Sequence, residues 1–220
     1  MCFNCASQRL AIHGQQLLNG HAVARQHYYN MEQGKLIIIS APSGSGKSTI
    51  IGRIMQDESL RLAFSVSATT RPRRGQEQHG VDYYFKTQEE FEQMIENDEL
   101  VEYQEVYEGR YYGTPKSEVE RITGMGMNVV LDLDVLGGVN VKRMYGDRAI
   151  SIFIQPPSVE VLRQRLINRG TDSMEDIKAR VDKAEFEISI GPQFDHTVIN
   201  DDLDTAVNEV HQLIEDFINC

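Results

Sequence analysis

The stretch "IIISAPSGSGKST", Ile37 to Thr49, contains an apolar run, a turn of small residues and a lysine followed by two hydroxyl residues. It matches the G-x-x-x-x-G-K-[ST] pattern of a phosphate-binding loop, except that Ala41 stands at the position of the first glycine. In a strand–loop–helix unit, backbone N–H groups and the positive end of the helix surround phosphate oxygens. This context favours a nucleotide site over a Gly/Ser turn with a surface lysine, and it predicts an α/β fold.

The loop residues have separate predicted roles. Lys47 is placed to reach the β- and γ-phosphates of a nucleoside triphosphate, while Ser48 or Thr49 presents a hydroxyl near Mg²⁺. Ala41 adds one methyl group to the pattern, which carries little strain at negative φ, so we expect a working site. The candidate nucleotide-binding residues are Ala41, Pro42, Ser43, Gly44, Ser45, Gly46, Lys47, Ser48 and Thr49.

The wider chain alternates short apolar runs with longer amphipathic segments, as βαβ units do. Continuous apolar runs are typical of a parallel sheet that helices cover on both faces. We therefore predict a three-layer αβα core. The predicted strands are "LIIIS" (36–40), "NVVLDL" (128–133), "AISIFI" (149–154) and "HTVIN" (196–200).

A first insertion, residues 65–122, differs in composition from the predicted core because it is rich in Tyr, Arg and Glu. Its alternating patterns predict a smaller, partly antiparallel subdomain. Thr87 and Glu90 have capping-box spacing at the start of one helix. We predict a second helix with Thr114 as its cap and Pro115 at its first position.

The pattern of a second insertion, residues 159–188, predicts two helices joined by a short turn. Segments of the core precede and follow each insertion along the chain. Gly170 ends the first helix, and Asp172 or Ser173 caps the next. Four arginines of the segment suggest a basic element. The predicted core consists of residues 31–64, 123–158 and 189–220.

The composition of the chain limits the classes of protein to which it can belong. The chain has 220 residues, a net charge of −11 and 40% hydrophobic residues, which suits one domain with inserted subdomains. The acidic balance argues against a surface that binds nucleic acid. No apolar run is long enough for a signal peptide or a membrane span, so we expect no membrane partner.

The first thirty residues differ from the rest. Residues 1–30 contain Arg9 and Arg25 but no acidic residue, and they lack helical or strand periodicity. We predict a disordered extension, with Met31 as a candidate alternative start. The chain has three cysteines, which form no zinc-ligand set or disulfide framework and therefore suit a reducing cytoplasm.

Residues 35–218 together resemble guanylate kinase, the nucleoside monophosphate kinase of purine metabolism that moves a phosphoryl group from ATP to GMP. A phosphate loop alone could not carry so long a match. The runs that carry it are "SAPSGSGKST", "FSVSATTR", "DYYF" after two arginines, "ELVEYQEV", "YYGT", "LDLD", "PPSVEVLRQRLINRGT" and "VINDD".

The resemblance implies a GMP site within the first insertion. It assigns the GMP phosphate to cations and hydroxyls, which suit phosphate oxygens. An ungapped alignment selects Arg74 over Arg73, and Tyr112 matches better than Tyr111, although both alternatives stay open. The implied phosphate-binding residues are Arg71, Arg74, Tyr83 and Tyr112.

The same resemblance implies how guanine is selected. Guanine presents N1–H and N2–H donors beside its O6 acceptor, so a carboxylate with a hydroxyl can distinguish it from adenine. The implied carboxylate is Glu102, assisted by Asp134, and the implied hydroxyls belong to Ser67 and Thr114. Asp132 and Asp134 end one predicted strand as an acidic element that faces Mg²⁺ or positions arginines beside the phosphate loop, and Asp132 is also assigned to the GMP site.

For the donor side, the resemblance implies Lys47 and three lid arginines as catalytic groups, with Asn200 near the adenine of ATP. Phosphoryl transfer needs aligned groups and neutralised charge, and Mg²⁺ contributes to both. The implied metal contact is the Ser48 hydroxyl. The second insertion, residues 159–188, is the implied lid, and the implied lid arginines are Arg165, Arg169 and Arg180.

The predicted substrates are ATP and GMP or dGMP. A non-catalytic guanylate-kinase-like binding module and a related sugar-phosphate kinase remain alternative functions. Lys47, Ser48 and the lid arginines argue against the first, and the base-reading group around Glu102 argues against the second. The oligomeric state is left open.

Overall fold

Two sheets organise the part of the chain that the structure describes, which is residues 33–107, 109–170 and 173–220 of a computed structural model. The predicted extension, residues 1–30, lies outside the described residues. The strands are β1 (Leu36–Ser40), β2 (Leu62–Phe64), β3 (Ala68–Thr69), β4 (Tyr84–Phe85), β5 (Leu100–Tyr107), β6 (Arg110–Pro115), β7 (Asn128–Asp132), β8 (Ala149–Gln155) and β9 (His196–Ile199).

The helices lie between these strands as the alternating pattern predicts. They are α1 (Lys47–Ile54), α2 (Gln88–Glu96), α3 (Lys116–Gly124), α4 (Val135–Tyr145), α5 (Val159–Arg169), α6 (Met174–Ile190) and α7 (Leu203–Asn219), with short 3₁₀ turns at Glu58–Leu60, Gly146–Arg148 and Gly191–Gln193.

The larger sheet is entirely parallel and has the order β2-β7-β1-β8-β9. Strand β1 lies at its centre, and all of its residues are buried because neighbouring strands and both helical layers surround it. The prediction of a parallel α/β core is therefore confirmed. Sequence reasoning missed the edge strand β2, which is only three residues long and exposes Phe64.

Alternate residues of β1 point to opposite faces of the sheet, so two separate hydrophobic layers form. Ile37 and Ile39 pack into one layer with residues of α1 and α7, including Ile50 and Val210. Leu36 and Ile38 pack into the other layer, where α3 and α4 contribute Ile122 and Val141. This arrangement confirms the three-layer αβα prediction.

The smaller sheet, β4-β3-β6-β5, combines a parallel β3–β4 pair with antiparallel β3–β6 and β5–β6 pairs. The predicted capping box is confirmed, because Thr87 and Glu90 exchange hydrogen bonds at the start of α2. The predicted Thr114 cap is wrong. Thr114 belongs to β6, where it pairs with Glu102, so α3 begins at Lys116 after Pro115.

Helices α5 and α6 pack against each other through a small apolar cluster that includes Leu162, Leu166, Ile177 and Val181. Ser173 caps α6 by accepting a hydrogen bond from the Asp176 N–H group. Residues 34–220 form one compact unit, and the finer boundaries of core, insertion and lid stay a prediction. No helix in the described segments has the length and apolar character needed to cross a membrane.

Candidate active site

The loop after β1 wraps tightly at two glycines. Gly44 and Gly46 have φ values of 93° and 92°, in the region that side chains disfavour. A Cβ atom at Gly46 would lie 2.3 Å from the Asn200 side-chain nitrogen, and one at Gly44 would lie 3.0 Å from Leu166. Ala41 is not among the described residues with positive φ, which supports the expectation that an alanine is tolerated there.

Asn200 supports the loop by a hydrogen bond to its backbone. Its side-chain amide donates to the Ser45 backbone carbonyl at 2.7 Å, and the Asn200 backbone carbonyl accepts from the Arg165 guanidinium at 2.9 Å. The residue is 4% exposed, and it is not among the described residues that line the adjoining cavity. Its assignment to ATP binding stays a prediction, and the geometry suggests an indirect role through the loop.

A cavity of about 670 Å³ lies over this loop. Its wall combines the loop, the end of β7 and the two helices α5 and α6, so cations from distant parts of the chain converge there. The lining residues are Ala41, Pro42, Ser43, Gly44, Gly46, Lys47, Ser48, Thr49, Asp132, Leu133, Asp134, Arg165, Leu166, Arg169, Lys183 and Glu187.

The predicted catalytic cations all line this cavity or contact its loop. Arg165 and Arg169 line it from α5. Arg180, from α6, donates to the Ser43 hydroxyl at 2.7 Å and therefore ties the helix pair to the loop. Lys47, the first residue of α1, forms an ion pair with Asp132 at the end of β7.

A second cavity of about 270 Å³ lies on the side of the smaller sheet. It shares the segment Asp132, Leu133 and Asp134 with the first cavity, so the two cavities meet at the carboxyl end of β7. The lining residues are Ser67, Tyr83, Glu102, Gln104, Tyr112, Gly113, Asp132, Leu133 and Asp134.

Glu102 is the central acidic group of this second cavity. Its carboxylate accepts a hydrogen bond from the buried Thr114 hydroxyl at 2.8 Å. The pKa of Glu102 is raised to about 7, mainly because burial disfavours its charge and also because Asp134 lies nearby, against the opposing effect of the Thr114 hydrogen bond. Asp134 itself caps α4 by accepting from the Leu136 and Gly137 N–H groups, both at 2.8 Å.

Arg71 is not among the described residues that line this cavity, but it contacts two that are, Tyr83 and Tyr112. Its guanidinium forms two hydrogen bonds with Glu77, at 2.7 and 2.8 Å, and donates to the Tyr112 hydroxyl at 3.2 Å. It also lies 4.9 Å from the centre of the Tyr83 ring. The hydrogen-bonded Arg71 lowers the pKa of Glu77 to about 2, so this carboxylate stays charged at neutral pH.

The structure also shows where the alternative tyrosines and arginines of the GMP-phosphate assignment lie. Tyr112 lines the cavity, whereas the Tyr111 ring stacks on Phe91 at 5.4 Å. Arg74 is exposed and contributes its backbone N–H to Glu77, while the Arg73 guanidinium lies 5.2 Å from the centre of the Phe85 ring. The choice between these two arginines stays open.

Sequence reasoning missed several groups at the two cavities. Glu77, which orients Arg71, closes the run "TTRPRRGQE" (69–77), but sequence reasoning gave it no role. Glu187 is 6% exposed on α6, lies 3.6 Å from Lys183, and has a pKa raised by burial. Lys183 and Glu187 have the spacing of an ordinary surface ion pair on a helix, so their position at the cavity gave no sequence signal. Gln104, on β5, was also missed.

These features define the class of P-loop nucleotide kinases. A phosphate loop lies at the carboxyl end of a parallel sheet, where ligands bind in open α/β folds. Basic side chains from a helix pair face that loop, and a second polar cavity adjoins it at the end of β7. A phosphoryl donor in the first cavity and a phosphoryl acceptor in the second can therefore meet at the carboxyl end of β7.

Comparisons with known proteins identify the family. The family model described as guanylate kinase matches residues 33–217. The guanylate kinase of Bacteroides thetaiotaomicron is 58% identical over 186 residues, covering 84% of this chain and 91% of the relative. That of Porphyromonas gingivalis is 58% identical over 184 residues, covering 84% of this chain and 98% of the relative.

A solved structure supports the same assignment. The crystal structure of guanylate kinase from Anaplasma phagocytophilum matches with a TM-score of 0.66 and 30% identity, covering 85% of this chain and 87% of that chain. The chain belongs to the guanylate kinase family.

Proposed function

We propose that this chain transfers the γ-phosphoryl group of ATP to GMP or dGMP, giving ADP and GDP or dGDP. The observation that carries the proposal is the meeting of two polar cavities at Asp132–Asp134, with Lys47 of the phosphate loop paired to Asp132 at that point. Proteins named guanylate kinase share more than half of their residues with it over most of their length.

The larger cavity is the proposed ATP site. The loop backbone and the start of α1 would hold the phosphates, and Lys47 would supply charge to the group that moves. Arg165, Arg169 and Arg180 come from the helix pair α5–α6, so closure of that pair would add positive charge around the transferring oxygens and exclude water. No covalent enzyme intermediate is needed for such an in-line transfer.

The smaller cavity is the proposed GMP site. Glu102 would accept hydrogen bonds from guanine N1–H and N2–H, and Ser67 would contribute a hydroxyl. Thr114 is 1% exposed and donates to Glu102, so it would act chiefly by orienting that carboxylate. A buried polar site of this kind rejects a base that leaves its groups unpaired.

The other end of the smaller cavity would hold the GMP phosphate. Arg71 is pre-oriented by Glu77 and Tyr112, and Tyr83 packs against its guanidinium. Arg74 is the proposed second cation of this end. Thr114 at the base end and Tyr112 at the phosphate end both belong to β6, so this strand would set the separation of the two ends and with it the orientation of the acceptor.

Mg²⁺ is the proposed metal, and the donor groups at the larger cavity fit it. The Ser48 hydroxyl and the Asp132 carboxylate both line this cavity, and Mg²⁺ commonly combines one or two protein oxygens with substrate phosphates. When bound with ATP, the ion would neutralise phosphate charge. We propose Ser48 as its direct protein contact.

The reaction is tested with the purified full chain, ATP and Mg²⁺ against GMP, dGMP, AMP, CMP and UMP, with ADP formation as the readout. We expect turnover with GMP and dGMP alone. Equal use of AMP, CMP or UMP would contradict the base assignment. Tight peptide binding without any turnover would instead favour the non-catalytic module, and turnover with a sugar phosphate would favour the sugar-phosphate kinase.

We also propose a cytoplasmic location, in keeping with the cysteine composition.

A matched pair of variants tests the role of Glu102. Glu102→Gln should reduce kcat/KM for GMP by about 10- to 100-fold, because a charge-assisted acceptor becomes a neutral amide. Glu105→Gln makes the same change on the exposed face of the same strand and should leave kinetics unaltered. Equal loss of GMP use and of ATP binding in Glu102→Gln would indicate a folding defect instead.

A further inference from the structure

Gln104 occupies an unassigned position in the wall of the smaller cavity. It follows Glu102 by two residues on β5, so both side chains project from the same face of the strand. Both line the cavity. Across the strand pair, Glu102 lies opposite Thr114 and Gln104 lies opposite Tyr112.

The Gln104 carboxamide is available to a ligand. Among the residues that the structure describes, none forms a hydrogen bond with its side chain or with the Ser67 and Tyr83 hydroxyls, whereas the other polar side chains of this wall have protein partners. Glu102 accepts from Thr114, Tyr112 accepts from Arg71, and Asp134 caps a helix. Gln104 therefore adds a neutral group that can both donate and accept.

The strand pair indicates which part of the acceptor Gln104 faces. Thr114, opposite Glu102, belongs to the base-reading end, and Tyr112, opposite Gln104, contacts the phosphate-binding Arg71. Moving from Glu102 to Gln104 thus leads from the base end toward the phosphate end. The two side chains start about 6.6 Å apart along the strand, a separation comparable to the width of a purine ring system.

Guanine presents its polar atoms in a matching order. N2–H and N1–H are donors and suit the carboxylate of Glu102, which can only accept when ionised. O6 and then N7 are acceptors, and N7 lies on the ring that carries the sugar. The hydroxyl of Ser67 is the proposed partner of O6, so N7 is the remaining acceptor on the side where Gln104 lies.

We propose that Gln104 is a purine-recognition residue of the acceptor site whose side-chain N–H donates to N7 of guanine. This inference rests on the function proposed above, because it takes the smaller cavity as the GMP site. It gives the site a donor that complements the acceptor Glu102. Both polar edges of the base are then recognised from a single strand.

The test compares GMP with 7-deaza-GMP, in which a C–H group replaces N7. Dissociation constants of both nucleotides are measured by titration calorimetry with the wild type and with Gln104→Met, which keeps the side-chain length but has no donor. We expect Gln104→Met to weaken GMP binding about 3- to 10-fold and to leave 7-deaza-GMP binding unchanged. The wild type should bind 7-deaza-GMP more weakly than GMP by a similar factor.

Two results with Gln104→Met would overturn the inference. Equal weakening of both nucleotides would place the contact elsewhere on GMP, and unchanged GMP binding would mean that no contact exists. Tyr103→Phe, on the opposite and exposed face of β5, is the matched control and should bind both nucleotides normally. Absence of GMP binding to the wild type would refute the proposed function itself, and this inference with it. A thermal melt and an ATP titration of Gln104→Met separate either result from misfolding.

Discussion

Replacing Glu102 by Gln should stabilise the nucleotide-free protein while it damages GMP use. The buried carboxyl has its pKa raised from 4.5 to about 7, so its ionised form is disfavoured in the folded state. Gln has nearly the same shape, carries no charge and can still accept the hydrogen bond from Thr114. The substitution therefore removes the cost of burying a charge while retaining the packing.

The magnitude follows from the pKa difference between the folded and unfolded states. A folded pKa above the unfolded value gives stability that is complete below about pH 4.5 and is lost as pH rises to about 7. Each tenfold change in proton affinity corresponds to 1.36 kcal/mol, so the total loss is about 3 kcal/mol. Glu102→Gln lacks this loss, so the difference in free energy of unfolding between the variant and the wild type should grow with pH over the same range.

Urea unfolding of wild type and variant at about pH 5 and about pH 8.5, without nucleotide, measures the effect. We expect Glu102→Gln to exceed the wild-type free energy of unfolding by under about 1 kcal/mol at the lower pH and by about 3 kcal/mol at the higher pH. Glu105→Gln, at an exposed position, should show no such pH-dependent difference. A Glu102→Gln variant that is less stable than the wild type at high pH would refute the reasoning, because it would show that the carboxylate is stabilised by its surroundings.

Three further predictions concern the loop and the phosphate end of the acceptor site. Lys47→Ala should lower kcat by about 10²- to 10³-fold in the ADP-release assay because charge on the transferring group is lost, whereas Ala41→Gly should change it only a few-fold; similar effects of the two would contradict these roles. Asn200→Ala should lower the free energy of unfolding by about 1–3 kcal/mol and raise KM for ATP, since it leaves the buried Ser45 carbonyl without its donor; unchanged urea midpoints and KM would argue against a supporting role. Arg71→Lys should raise KM for GMP about tenfold through loss of its planar, two-point geometry, and an equal rise for ATP would show a general defect instead.

Several elements followed from local patterns alone. The strand at 36–40, the helix after the phosphate loop and the Thr87–Glu90 capping box each depend on a few adjacent residues, and the structure contains all three. The Thr114 cap was wrong for the opposite reason. Its hydroxyl was available to cap a helix, but antiparallel pairing with β5 placed Thr114 opposite Glu102, and this long-range pairing overrode the local preference.

Three of the groups missed by sequence reasoning, Lys183, Glu187 and Gln104, share one property, which is that their surroundings come from distant parts of the chain. Glu187 and Lys183 have the spacing of a solvated helix pair, yet α6 packs so that both line the larger cavity. Gln104 lies in a run of polar and aromatic residues where nothing local distinguishes one face of the strand. Only the pairing of β5 with β6 shows that it shares a cavity with Glu102.

By itself, the sequence determined the class of fold, the phosphate loop and the family, because those depend on hydrophobic periodicity and on motifs of adjacent residues. The tertiary structure alone decided that Lys47 meets Asp132, that Asn200 supports Ser45, and that the two cavities join at the end of β7. It also decided the raised pKa of Glu102, because burial depends on the packing of strands and helices that are far apart in the chain. Local chemistry thus specifies which groups are present, and the parallel sheet brings them to one edge where they can act together.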